Sequence, residues 1–169
     1  MSLGFFWAKG PQVLMTCQID QSGKIEQTNR DTVLCISNDH WDAITIKAKT
    51  KRQIQEIFRR HGRIRNFILF TFSAGLAILL KRNHKIKIVI IDLEYSGKES
   101  IIKGLIYEIL KSKKINLEIR FARIGKKAKA HHYAHDIAAK EIKTKKLVSF
   151  QELIGEIKKT EVGKRLKNA

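Results

Sequence analysis

The sequence predicts an α/β fold, a mixed five-stranded sheet with helices on both faces. Three observations carry that expectation. Short β-branched runs occupy the first fifty residues, strand-like and helix-like runs then alternate, and the most apolar strand, "KIKIVIID" at 85–92, leads into a helical pattern. A chain of 169 residues has length for one core and not for two ordinary domains. Residues 15–150 read as that domain, 1–14 as a leader or extension ahead of Met15, and 151–169 as a C-terminal helix and tail.

Residues 13–20, "VLMTCQID", then the turn-like "QSGK", then "IEQTNRD", read as strand, turn, strand. "TVLCIS" at 32–37 and "AITIKA" at 43–48 are short and β-branched, joined by "NDHWD" with hairpin-loop chemistry. These leading strands predict an antiparallel meander. Thr50 is placed to cap a basic amphipathic helix, "KRQIQEIFRR", with Ile54, Ile57 and Phe58 on one face. After Gly62, an almost wholly apolar helix from about Ile64 to Arg82 predicts burial on nearly all sides. The strand at 85–92 follows, and Ser96 is expected to cap the next helix, whose Ile102, Leu105, Ile106 and Ile109 recur at helical spacing. "NLEIRFARIG" at 116–125 reads as the fifth strand and "AHHYAHDIAAKEIK" as a helix, with a short helix and a fraying tail after them. The expected order is β-β-β-α-β-α-β-α.

Lys and Arg outnumber Asp and Glu by 34 to 16, a net charge of +18 that exceeds any solubility requirement and points to a polyanion partner. The basic residues recur along the whole chain instead of forming one juxtamembrane block, which favours nucleic acid, DNA or RNA, over a membrane. The apolar run at 66–80 is shorter than the roughly 18–20 residues that span a bilayer. Cys17 and Cys35 lack disulfide or zinc spacing, so a reducing, cytoplasmic compartment is expected. The opening residues lack signal-peptide chemistry. Oligomeric state is not legible.

Three acids fall at element ends: Asp20 closes the first strand, Asp92 closes the fourth, and Asp136 lies in the helix after the fifth. Were the first and fourth strands parallel neighbours, Asp20 and Asp92 would share one sheet edge, with Asp136 joining from above. Adjacent carboxylates repel unless neutralised, and hard divalent cations with oxygen ligands do so directly. Mg or Mn is the natural candidate, and two such ions about 3.5–4 Å apart can cleave a phosphodiester.

With "IDQSG", "IIDLEYS" and "HHYAHDIAAKE" in this order, the chain resembles the ribonuclease H-like superfamily, which includes ribonuclease H, Holliday-junction resolvases, transposases and retroviral integrases. The resemblance covers roughly residues 13–143 and implies that Asp20, Asp92 and Asp136 bind Mg or Mn and cut nucleic acid. It departs from ribonuclease H on the first long helix, where that enzyme has an acid and this chain offers Phe70, Thr71 and Ser73. Glu94, two residues past Asp92 in an extended run, would face the same way and complete the site, with Glu56 the weaker substitute.

His131 and His135 lie one helical turn apart beside Asp136. Without a local third ligand they suit phosphate contact or leaving-group protonation better than zinc, and a solvent-facing pair is the plain alternative. Two basic clusters, Arg59, Arg60, Arg63 and Arg65, then Arg123, Lys126, Lys127 and Lys129, are the candidate phosphate grips. "DQSGK" and "YSGKE" lack a full phosphate loop and read as turns. The leading expectation is a Mg- or Mn-dependent nuclease. The rivals are a noncatalytic basic nucleic-acid-binding module on the same fold and an assembly protein that meets an acidic partner.

Overall fold

In this computed structural model, residues 15–113 and 115–166 are described, so the expected leader lies outside them. The elements run β1 (Thr16–Ser22), β2 (Thr32–Ser37), β3 (Trp41–Ile46), α1 (Ala48–Arg60), α2 (Phe67–Arg82), β4 (Ile88–Asp92), α3 (Glu99–Leu110), β5 (Glu118–Ala122), α4 (Lys129–Ala138), β6 (Lys146–Val148) and α5 (Phe150–Ile157). They form an α/β fold around one mixed six-stranded sheet of order β5-β4-β1-β2-β3-β6.

β1, β2 and β3 form the antiparallel meander. β4 returns parallel to β1, and β5 parallel to β4. The sixth strand, parallel to β3, is the departure from the expected five. Its three residues, Lys146 to Val148, are too short to carry an alternating pattern.

Most of the core lies on one face of the sheet, where Ile19, Leu34, Ile44, Ile46, Val89 and Ile91 meet α2 and its flanking helices. α2 is buried from Phe70 through Leu80, as its all-round apolar composition requires. Ile64–Arg82 is long and apolar enough to cross a membrane by length and composition, yet here 67% of its 18-residue apolar window is buried inside protein. Gly75 lets α2 reach the sheet, because a Cβ there would stand 2.9 Å from Leu34 Cδ1 and 3.0 Å from Ile46 Cδ1. Leu153, Ile154, Ile157 and Leu166 belong to the same core, so the C-terminal segment packs down at least to Leu166.

The opposite face is covered by α4 alone among the described helices, whose Ala134 and Ile137 sit on Val33, Cys35 and Ala43. α4 crosses β1 and β2 and barely reaches β3, which leaves Ile88 and Ile90 of β4 only half-buried.

Three local expectations change. Residues 24–30 form turns instead of a strand, pinned by Gln27 N–H to Lys24 O at 3.2 Å and Arg30 N–H to Gln27 O at 3.3 Å. α1 begins two residues before Thr50, after an extended Lys47, so Thr50 is a buried helix residue and caps nothing. α3 begins after Lys98 with no side-chain cap, so Ser96 does not cap it. The turn there is closed by Gly97 N–H to Glu99 Oε1 at 3.0 Å.

Candidate metal and nucleic-acid site

β1 and β4 are parallel and in register with Ile19 opposite Ile91, which sets Asp20 beside Asp92. Ile19 and Ile91 face the main core, so by strand alternation both acids project to the α4 side. Asp92 ends its strand in a tight turn in which Glu94 N–H donates to Asp92 O at 2.9 Å. That turn, in place of the expected extended run, carries Glu94 back to the same group. One carboxylate oxygen from each of Asp20, Asp92 and Glu94 lies within 4.8 Å of the others, and this group could hold a metal ion.

The group is built rather than incidental. Asp20 is 5% exposed, and both of its oxygens are engaged: Oδ1 accepts Gln21 N–H at 2.8 Å, and Oδ2 lies 2.7 Å from His131 Nδ1. Against an ionised carboxylate that imidazole nitrogen is the donor, which leaves Nε2 as the nitrogen that can take or hold a proton. Asp92 Oδ1 accepts the backbone N–H of Ile124 at 2.5 Å. Each oxygen keeps a further lone pair for a cation. Burial pushes the Asp20 carboxyl above its ordinary range against the pull of Gln21 and His131, and the Asp92 charge raises it further. Burial and then Asp92 likewise raise Glu94. Crowded, partly desolvated carboxylates of this kind fit a hard cation, which supplies the missing opposite charge.

Asp136 is not part of the group. It lies five residues beyond His131, about 140° around the helix, and its carboxyl pairs instead with neighbouring His135 at 3.4 Å. The helix position that reaches Asp20 belongs to His131. His135 has 69% of its side chain exposed and pairs only with Asp136 among the described acids. The first-helix departure stands: Phe72, not a carboxylate, is the α2 residue beside Asp20, Asp92 and Glu94, and the gap they line is too narrow for water. Glu56 is held by Arg59 and Arg60 and is not a substitute ligand.

Comparison of the chain with protein-family models, with curated proteins and with solved structures finds no match. The site therefore rests on its own geometry.

The two basic clusters differ in placement. Arg123, Lys126 and Lys127 occupy the link between β5 and α4, and Lys129 opens that helix. This segment is anchored at both acids, through Ile124 N–H on Asp92 and His131 on Asp20. All four cations are exposed, and among the described residues none makes an ion pair. The Arg59–Arg65 cluster sits at the end of α1 and the turn after it, with Arg59 and Arg60 partly neutralised by Glu56. Of these two candidate grips, only the Lys126 segment is tied to the acids by hydrogen bonds.

Two further residues support the site, Tyr95 of the "IIDLEYS" run and Lys51, and only Lys51 lies beyond the sequence expectations. Tyr95 Oη accepts Ile25 N–H at 3.3 Å and donates to Glu26 Oε2 at 3.0 Å, pinning the turn after β1 to the one after β4. Lys51, fully buried, donates from Nζ to Lys24 O at 2.9 Å, Gln27 O at 2.8 Å and Thr32 Oγ1 at 2.8 Å, stitching the same turn to α1. Lys51, Ile54 and Phe58 follow the i, i+3, i+7 spacing of a buried stripe, and that spacing is the signal by which Lys51 can be found.

Proposed function

We propose that the protein is a metal-dependent nucleic-acid phosphodiester hydrolase on a ribonuclease H-like sheet. The observation that carries the reading is the convergence of Asp20, Asp92 and Glu94 from parallel neighbouring strands and the turn after β4. Parallel pairing of the first and fourth strands, each bearing an acid near its end, is what the resemblance requires. Asp20, Asp92 and Glu94 would hold Mg or Mn, which would supply an activated water and stabilise the leaving oxygen when bound.

The chain's own part is positional and electrostatic. Gln21 N–H, His131 and Ile124 N–H fix the two aspartates, so the carboxylates need little reorganisation to accept a cation. His131, held through Nδ1, keeps Nε2 for proton exchange. Arg123, Lys126, Lys127 and Lys129 supply free positive charge for a phosphate backbone next to the acids.

The deciding experiment is cleavage of labelled single- and double-stranded DNA and RNA, hybrid and four-way junction, with Mg or Mn. Cutting that Asp92→Asn abolishes is the expected result. The absence of a carboxylate on α2 favours the second reading, a noncatalytic nucleic-acid-binding module. Tight, salt-sensitive binding without cutting in either metal would establish that reading.

A further inference from the structure

A second site lies on the α4 side of the sheet, toward β3 and β6. Val33, Thr45 and Leu147 stand in register across β2, β3 and β6 and form a row on that face. Ile137 of α4 covers the Val33 end, whereas the helix barely reaches β3. The row therefore emerges from under α4, and Leu147, in the middle of a strand whose other face is core, is 57% exposed. Beside it opens a cleft of about 720 Å³, which is in the size range of small-molecule sites.

The floor of this cleft is apolar, with Val33, Ile137, Ala138, Ile142 and Leu147. Thr45 also lines it, is 4% exposed, and has no hydrogen-bond partner for its Oγ1. The rim is cationic, carrying five lysines against Asp31. Lys47 is paired with Asp31, Lys146 with Glu152, and Lys145 lies 4.3 Å over the Trp41 ring. Lys140 and Lys143 make no ion pair among the described residues.

Lys140 also stands at φ 63°, the one non-glycine residue with positive φ among those described. Glycine would take that position after α4 without strain, so lysine there trades backbone comfort for an ammonium at the cleft mouth.

We propose that this cleft binds a mononucleotide, with its flat base against Ile142 and Leu147 and its phosphate on Lys140 and Lys143. An apolar floor with unpaired cations at one rim suits a ligand that is flat and apolar at one end and anionic at the other. The site is separate from the carboxylate group and does not depend on the nuclease reading.

The test is isothermal titration of adenosine, adenosine 5′-monophosphate and inorganic phosphate into the full chain, with EDTA present so that no divalent metal bridges to the acids. The expected result is saturable monophosphate binding that Asp92→Asn leaves unchanged, with adenosine and phosphate each at least about tenfold weaker. Lys140→Gly, which relieves the positive φ and so should not unfold the chain, is expected to weaken the monophosphate by about tenfold, and Lys143→Gln likewise. The proposal is overturned by no saturable binding, by inorganic phosphate binding as tightly as the nucleotide, or by binding that neither lysine variant changes.

Discussion

His131 Nδ1 lies 2.7 Å from Asp20 Oδ2, although 111 residues of chain separate them. The contact ties the helix after the last long strand to the first strand's acid. It gives His131, and not Asp136, the position above the carboxylates.

Replacing His131 therefore has a different consequence from replacing Asp136. His131→Ala is expected to lower Mg- or Mn-supported cleavage by about ten- to a hundredfold, the range for a group that orients a metal ligand. Asp136→Asn is expected to cut like the wild type. Parallel rate measurements on the two variants check this, and a severe loss in Asp136→Asn with little change in His131→Ala would reverse the assignment.

The three carboxylates repel one another until a cation arrives, and this separates stability from function. Without divalent metal, Glu94→Gln and Asp92→Asn are expected to melt at or above the wild-type temperature, because each removes one crowded charge. Mg or Mn at a hundred times its Kd is expected to stabilise the wild type by about 2.7 kcal/mol. That corresponds to roughly 5–10 °C in Tm for a chain of this length. Neither variant should gain it. Thermal melts with EDTA and with each metal test the point, and equal metal shifts in all three proteins would locate the ion elsewhere.

The Lys126 segment is hydrogen-bonded to the acids at both ends, so its charge should count in substrate binding more than the Arg59 cluster does. Neutralising Lys126 and Lys127 together is expected to lower the slope of log Kd against log salt by about 1.8 for duplex DNA, near 0.9 for each phosphate that no longer meets a cation. Arg59→Gln, which removes a cation already paired with Glu56, should change that slope less. Binding isotherms at several salt concentrations decide between them.

What the sequence makes legible follows from how each signal arises. The "KIKIVIID" run, the apolar helix and the meander are strong local patterns, and each yields its element: the strand over Ile88–Asp92, the helix over Phe67–Arg82, and the meander without the strand read in "IEQTNRD". Asp92 is visible because an acid that ends an apolar run is conspicuous. Choosing between His131 and Asp136 needs the rotational phase of α4 over the sheet, which depends on packing of Ala134 and Ile137 against Val33 and Cys35, not on local sequence. Ile124 acts through its backbone N–H, which no side chain announces. β6 is too brief to show a period, and Lys51 hides because a lysine in a basic helix reads as solvated.

Lys51 makes the sharpest pH prediction. Burial lowers its ammonium from the ordinary 10.5 to about 8, against the opposing attraction of Asp31 and Glu26. Between those two pH values the unfolded chain binds a proton that the native chain has given up, so the Lys51 contribution to stability rises with pH across that window. The rise is at most about 1.4 kcal/mol per pH unit. Lys51→Met has no such group, so denaturant titrations of both proteins from pH 7 to 10.5 should show the wild type gaining on the variant only above pH 8. A constant difference would mean that the buried ammonium keeps its ordinary affinity for the proton. Because Lys51 holds the turn that Tyr95 also grips, and Tyr95 follows Glu94 directly, the variant should also weaken metal binding at the carboxylates while every metal ligand remains in place.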